Sequence, residues 1–213
     1  AGRLPGGIHV DNDVNMAALA EQARGAAAGA RDAVLITVGS NVGAAIIMDG
    51  RLRRGQHVAA GEIGAMGIDP DRAAPIDPLA GPLESVAGGN AIARIARERF
   101  AAFPGTRLPE DGLTSEALFH AAAEGDPLAV AVTADAYRHL AFAIANIIAL
   151  LAPEVVVIGG GVAQVGAPYL DQLRRRVAAI CVLPHRLELA ELGEDAGAYG
   201  AGATALRQEE SAP

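Results

Sequence analysis

Two apolar, β-branched runs that each end in glycine constrain this chain more than anything else in it. Ala33-Val34-Leu35-Ile36-Thr37-Val38 leads into Gly39-Ser40-Asn41, and Glu154-Val155-Val156-Val157-Ile158 leads into Gly159-Gly160-Gly161 about 120 residues later. Both apolar runs predict strands, the second of them a buried one. Glycines at a strand end strip away Cβ atoms, so main-chain N–H groups can approach a ligand, commonly phosphate or ribose. Tight turns alone would use the same residues.

The remaining pattern fits around these two strands. Residues 42–48 predict a second strand, and Asp49-Gly50 predicts a type I′ turn into a short strand at 51–54. Residues 1–10 read as a strand end or linker and 11–24 as a helix. Residues 55–84, rich in Gly and Pro and without periodicity, read as a long structured loop, a feature that is usually functional. Helices are predicted over 85–103, 114–124 and 126–151. The last opens at Asp126-Pro127 and carries Leu128, Val132, Ala136, Leu140, Ile144, Ile147, Ile148 and Leu151 on one face. A helix from about Pro168, a strand over 186–191 and a small-residue helix over 196–206 complete an α/β pattern.

Composition removes several function classes. All 17 basic residues are Arg, so a Walker A loop, a Schiff-base lysine and a Ser-Lys nucleophile pair are excluded. A net charge of −8 opposes a duplex-binding surface, and the runs Arg51, Arg53, Arg54 and Arg174 to Arg176 read as solvated faces. Four Phe, three Tyr and no Trp leave little for base stacking. The single cysteine, Cys181, lies in the apolar run 179–183 and is expected to be a buried thiol. The longest apolar stretch, 140–151, falls short of the roughly 20 residues that span a bilayer, and no leader pattern opens the chain. The expected location is cytoplasmic. Gly159-Gly160-Gly161 is followed by Gln164 where a dinucleotide fingerprint needs glycine, and Val38 replaces the first glycine of a nucleophile elbow at Ser40.

Taken in order, the segments resemble the ROK family of repressors and sugar kinases. Val10-Asp11-Asn12-Asp13-Val14-Asn15 through Glu21 is similar to its "NDaNaaalaE" segment, and Thr37 through Ile47 to its "tlGTGiGaGii" hairpin. Ala60-Gly61-Glu62-Ile63-Gly64-Ala65 resembles "AGEiGH" except at its last residue. Leu83-Glu84-Ser85 falls on "CLE", and residues 153–163 on "P..iviGGgva". The resemblance implies an actin-like ATPase (ribonuclease H-like) α/β fold, a mixed sheet flanked by helices with the first lobe largely missing. Residues 1–32 would be the end of that lobe and 33–213 the C-terminal lobe. It implies a sugar pocket of Asn12, Asp13, Glu62 and Glu84, with Asp13 as catalytic base in a kinase. A degenerate nucleotide site would comprise Gly39, Ser40, Asn41, Gly43, Gly159, Gly160 and Gly161.

Three departures from the family pattern set the functional expectation. The four zinc-ligand positions of the family fall on Ala65, Pro75, Asp77 and Pro82, so no metal is expected and the loop would be held by Pro75, Pro78, Pro82 and apolar packing. Asn41 stands where the family has glycine, a residue type that tolerates positive φ but crowds a triphosphate. The "DxGxT" phosphate hairpin has no counterpart in the chain. These departures favour a sugar-sensing effector-binding domain of a transcriptional regulator. Its expected partners are a sugar effector, DNA through a module outside this chain, and further copies of itself through the helices between 85 and 151. The alternative is an ATP-dependent sugar kinase of the glucokinase type, with Mg-ATP as the second ligand.

Overall fold

A computed structural model describes residues 10–68 and 80–209. Five strands, β1 (Ala33–Val38), β2 (Val42–Met48), β3 (Arg51–Arg53), β4 (Val155–Gly159) and β5 (Leu187–Leu189), form one mixed sheet in the order β3-β2-β1-β4-β5. The β1–β2 and β2–β3 pairs are antiparallel, while β4 runs parallel to both β1 and β5. Asp49 and Gly50 both have positive φ (56° and 73°), as the type I′ turn between β2 and β3 requires.

The sheet is covered on both faces, which explains why β1 and β4 show no polar alternation. Val34, Ile36, Val38, Val156 and Ile158 face one core, built with α2 (Glu84–Ala87), α3 (Gly89–Arg99), α4 (Ser115–Ala123), α5 (Pro127–Leu151) and α6 (Ala167–Ile180). Ala33, Leu35, Val155 and Val157 face the other core, with Ala18 of α1 (Asp13–Arg24). The α7 helix (Ala196–Glu209) crosses α1 so closely that a Cβ on Gly200 would lie 1.8 Å from the Met16 carbonyl oxygen.

The expected helices are present with three differences. Residues 85–103 do not form one helix: it breaks at Gly88 (ψ 146°), and a short 3-10 turn, Phe100–Ala102, ends it. The break lets the first N–H groups of α3 reach the β1–β2 turn, Gly89 donating to the Gly39 carbonyl at 2.8 Å and Asn90 to that of Ser40 at 3.1 Å. A second 3-10 turn, Gly161–Val165, separates β4 from α6 and was not expected. The run 179–183 is not buried: Cys181 is half-buried and Val182 is 98% exposed, because α6 ends at Ile180 and the chain leaves the core there. Of the expected strand end at 1–10 only Val10 lies among the described residues, and Pro75, Asp77 and Pro78 lie outside them.

Every position on the expected apolar face of α5 is buried or half-buried. By length and composition α5 is the one helix among the described residues that could cross a membrane, yet 56% of its most apolar window is packed inside the protein. Its N-cap, Asp126, is 1% exposed and accepts from Ala129 N (3.1 Å), Arg107 N (2.7 Å) and the Thr106 hydroxyl (2.9 Å). Burial pushes this carboxyl up, but the hydrogen bonds outweigh it and hold Asp126 below the ordinary value of 3.8.

The stabilisation by Asp126 is therefore complete above pH 3.8 and is lost as pH falls through its lower folded value. Replacing Asp126 by Ala is expected to cost about 2–3 kcal/mol in urea unfolding, from the lost cap and the stranded donors. Asp126→Asn, which keeps one acceptor oxygen, should cost less. Equal stability of wild type and Asp126→Ala at pH 7 would show that the cap contributes nothing.

Candidate active site

Parallel pairing of β1 with β4 sets Thr37 opposite Gly159, so the two glycine turns emerge side by side at one end of the sheet. A ligand crevice at the carboxyl ends of parallel strands is the usual outcome of such an arrangement. Here it is a cleft of about 510 Å³, floored by Leu35, Thr37, Gly43 and Ala44. Asn12 and Asp13 form one side, Gly61, Glu62 and Glu84 another, and Gly39, Asn41, Gly159 and Gly160 the end at the strand turns. The four residues expected to form a sugar pocket thus share one cavity.

Each of the four is positioned by main-chain geometry. Asn12 caps α1, its side-chain oxygen accepting from Val14 N at 2.8 Å. Asp13 is the first residue of the helix, and its Oδ1 also accepts from Val14 N, at 2.8 Å. The positive end of the helix dipole favours a carboxylate at this place. Both side chains are exposed to the cleft. Glu62 follows Gly61, whose carbonyl accepts from Ala44 N at 2.9 Å. Gly61 has φ +97°, and a Cβ there would lie 2.1 Å from the Ala44 carbonyl oxygen, so only glycine fits. Glu84 opens α2, and its Oε2 accepts a long 3.4 Å hydrogen bond from Val42 N.

The turn residues divide. Gly39, Asn41, Gly43, Gly159 and Gly160 line the cleft, whereas Ser40 and Gly161 do not. Ser40 faces a neighbouring surface pocket beside Asn90 and Ser115. Asn41 does not have positive φ, so its tolerance of that conformation is not what keeps the turn: Gly39 N donates to the Asn41 carbonyl at 3.0 Å across the Val38–Val42 pair. Gly160 has φ +88°, with the Val38 carbonyl oxygen 2.4 Å from where a Cβ would stand, which seats the second turn on the end of β1.

Sequence reasoning missed several residues at or beside this cleft. Thr37 and Glu21 line it, as do Gly193 in the turn before α7 and Ala196 and Gly197 at its start. Asp11 stands just behind it. Its side chain is 2% exposed and accepts from Arg54 Nη2 at 2.6 Å, Arg54 Nε at 2.8 Å and Asn15 Nδ2 at 2.7 Å. Burial raises the Asp11 carboxyl, and the hydrogen bonds from Asn15, Arg54 and the Asn12 amide bring it below its ordinary value. The spacing Asp11-x-x-x-Asn15 was the available signal, since residues four apart meet on a helix.

Among the described residues the cleft lining includes three carboxylates besides Glu21, and no Arg. Carboxylates with an amide suit a polyol, accepting from and donating to its hydroxyls in pairs. Ala65 and Pro82 have no ligand atom, and no group of three or more His, Cys, Asp or Glu able to hold a metal occurs among the described residues.

The family model described as "ROK family" matches residues 3–208. A glucokinase of Halalkalibacterium halodurans is 38% identical over 98% of this chain and 66% of its own length. The solved ROK family glucokinase from Streptomyces griseus, in complex with glucose and AMPPNP, superposes with a TM-score of 0.81 at 31% identity, covering 93% of this chain and 68% of that one. A ROK family transcriptional regulator, a homologue of the E. coli MLC protein, reaches 0.77 at 32% identity, covering 90% of this chain and 50% of that one. This chain therefore spans just under two thirds of the length of the glucokinase relative it matches along nearly its whole sequence.

Gly61→Ala is expected to perturb the cleft more than the core, because the new methyl group collides with the carbonyl of Ala44 on its floor. Any hexose that the wild-type cleft binds should bind Gly61→Ala at least tenfold more weakly by calorimetry, while the far-ultraviolet circular dichroism keeps its shape. Undiminished binding by Gly61→Ala would remove Glu62 from the site.

Proposed function

The chain belongs to the ROK family, and on that premise we propose that it carries the sugar- and ATP-binding cleft of a cytoplasmic, ATP-dependent hexose kinase, with glucose the first substrate to test. The expectation of a regulator's effector domain is corrected. A glucokinase matched along almost the whole chain, and a glucokinase solved with glucose and AMPPNP that superposes at a TM-score of 0.81 against 0.77 for the regulator, favour the kinase. The observation that carries this reading is Asp13, held at the first turn of α1 and exposed in one cleft with Asn12, Glu62, Glu84 and the two glycine turns.

In this reading Asn12, Glu62 and Glu84 bind the sugar hydroxyls and fix which one lies at Asp13. That hydroxyl gives its proton to the Asp13 carboxylate as its oxygen attacks the γ-phosphorus of ATP. The bond from the γ-phosphorus to the bridging oxygen breaks, and ADP departs with the electron pair. Gly39, Gly43, Gly159 and Gly160 leave the phosphates room at the strand ends. Among the described residues the lining offers no guanidinium there, so the triphosphate is expected as its magnesium complex.

Asp13→Asn keeps the size and the hydrogen bond to Val14 N but cannot take a proton. In the full-length gene product it should lower kcat for glucose phosphorylation by about 10²–10⁴-fold. Glucose affinity should change by only a few-fold. Unchanged kcat in Asp13→Asn would overturn the assignment of Asp13 as base.

Zinc is not expected to take part. Elemental analysis of protein purified without chelator should give well under one equivalent. Stoichiometric zinc would mean that ligands outside Ala65 and Pro82 hold it.

A further inference from the structure

Arg54 joins the two sides of the cleft without lining it. Through its guanidinium it donates to Oδ2 of Asp11 at 2.6 and 2.8 Å. The other oxygen of Asp11 accepts from Asn15 Nδ2 at 2.7 Å and from the main-chain N–H of Asn12 at 2.8 Å. Through its main-chain carbonyl, Arg54 accepts from Ala60 N at 3.1 Å, and Gly55 packs against Ala60 so closely that a Cβ would come within 3.3 Å. One residue thus grips the position just before Asn12-Asp13 with its side chain and the position just before Gly61-Glu62 with its backbone. Nothing else among the described residues that is outside the cleft lining hydrogen-bonds to both segments.

We propose that Arg54, acting through Asp11, is a positioning residue that sets the placement of Asn12 and Asp13 relative to Gly61 and Glu62, and so the fit of the sugar to the base. The inference rests on the kinase reading of the cleft. Its physical basis is geometric. The Arg54 side chain is 39% exposed but that of Asp11 only 2%, so losing the guanidinium strips donors from a buried carboxylate, which lowers stability and frees the carboxylate to shift. A displacement of about 1 Å at a reacting group can cost on the order of 10²-fold in rate. The fork of the guanidinium matters as well, because two N–H groups converge on one oxygen and fix direction as well as distance.

The test uses the full-length gene product and glucose with ATP. Arg54→Met should lower kcat about 10- to 100-fold and raise the KM for glucose, with the KM for ATP little changed. Arg54→Lys, which keeps one donor to Asp11, should recover part of the loss. Asp11→Asn should match Arg54→Met, and the double variant should be no worse than either single one, as for two residues acting as a unit. If Arg54→Met fails to fold, Arg54→Lys and Asp11→Asn carry the same comparison. Unchanged kcat and glucose KM, additive losses in the double variant, or equal loss of the ATP and glucose KM values would overturn the positioning role while leaving the kinase reading intact. A wild-type protein that phosphorylates none of a panel of hexoses would overturn the kinase reading, and this proposal with it.

Discussion

The cleft depends on one buried carboxylate, that of Glu21. The α1 helix supplies Asn12 and Asp13 yet adds no strand to the sheet, so it must be fastened by other means. Glu21, 1% exposed, does this with both oxygens: Oε2 accepts from Ala26 N at 2.8 Å, and Oε1 from Glu191 N and Leu192 N at 2.9 Å each. The last two donors follow β5, about 170 residues away in sequence. A charge-assisted bond to a main-chain donor is among the stronger hydrogen bonds, and a donor stranded by its loss costs about 1–3 kcal/mol. The helix therefore has a fixed register against α7 and the sheet, and Gly200 permits the close approach that this register demands.

A second carboxylate works in the same manner at the opposite end of the strands. Glu154 Oε1 accepts from Arg31 N at 2.8 Å and Asp32 N at 3.1 Å, and Asp32 in turn accepts from Asp49 N at 2.7 Å. These contacts align the starts of β1, β4 and the β2–β3 hairpin. Their shared alignment at the start is what brings Thr37 and Gly159 level at the finish, where the two turns and the cleft lie. The polar fastening and the apolar packing thus serve separate purposes. Val34, Ile36, Val156 and Ile158 hold the layers together, whereas Glu21 and Glu154 decide how they are registered.

What was legible in the sequence follows from range. β1, β4, the Asp49-Gly50 turn and the buried stripe of α5 each depend on residues within a few positions of one another, and each was readable. That Asn12, Asp13, Glu62 and Glu84 belong together was readable only through family resemblance, since nothing local in any of them announces a shared cavity. The break at Gly88 was not legible, because it is imposed by the carbonyls of Gly39 and Ser40, some 50 residues earlier. Arg54 looked like part of a solvated basic run, and only the fold brings it onto Asp11. Cys181 misled for the reverse reason: an apolar run signals burial only while its helix still faces the core, and α6 ends one residue before it.

The same distinction explains why the regulator reading failed. It gave weight to the lost zinc ligands and to Asn41, both departures from a motif, without knowing where they stand relative to the acids. Ala65 and Pro82 lie outside the cleft lining. The described ends of their loop are joined by main chain packed on main chain: a Cβ on Gly81 would lie 2.2 Å from the Gly64 carbonyl oxygen, and Ser85 N donates to the Gly81 carbonyl at 2.9 Å. Leu83 and Ile63 are buried beneath. Close packing of this kind can hold a loop end without a metal, so losing the ligands leaves Glu62 and Glu84 on the cleft. Asn41 needs no special backbone conformation, and its neighbours Gly39 and Gly43 keep the floor of the turn free of side chains. A departure from a family pattern bears on function through what the altered atom touches, and here Ala65 and Pro82 lie outside the lining that Glu62 and Glu84 share.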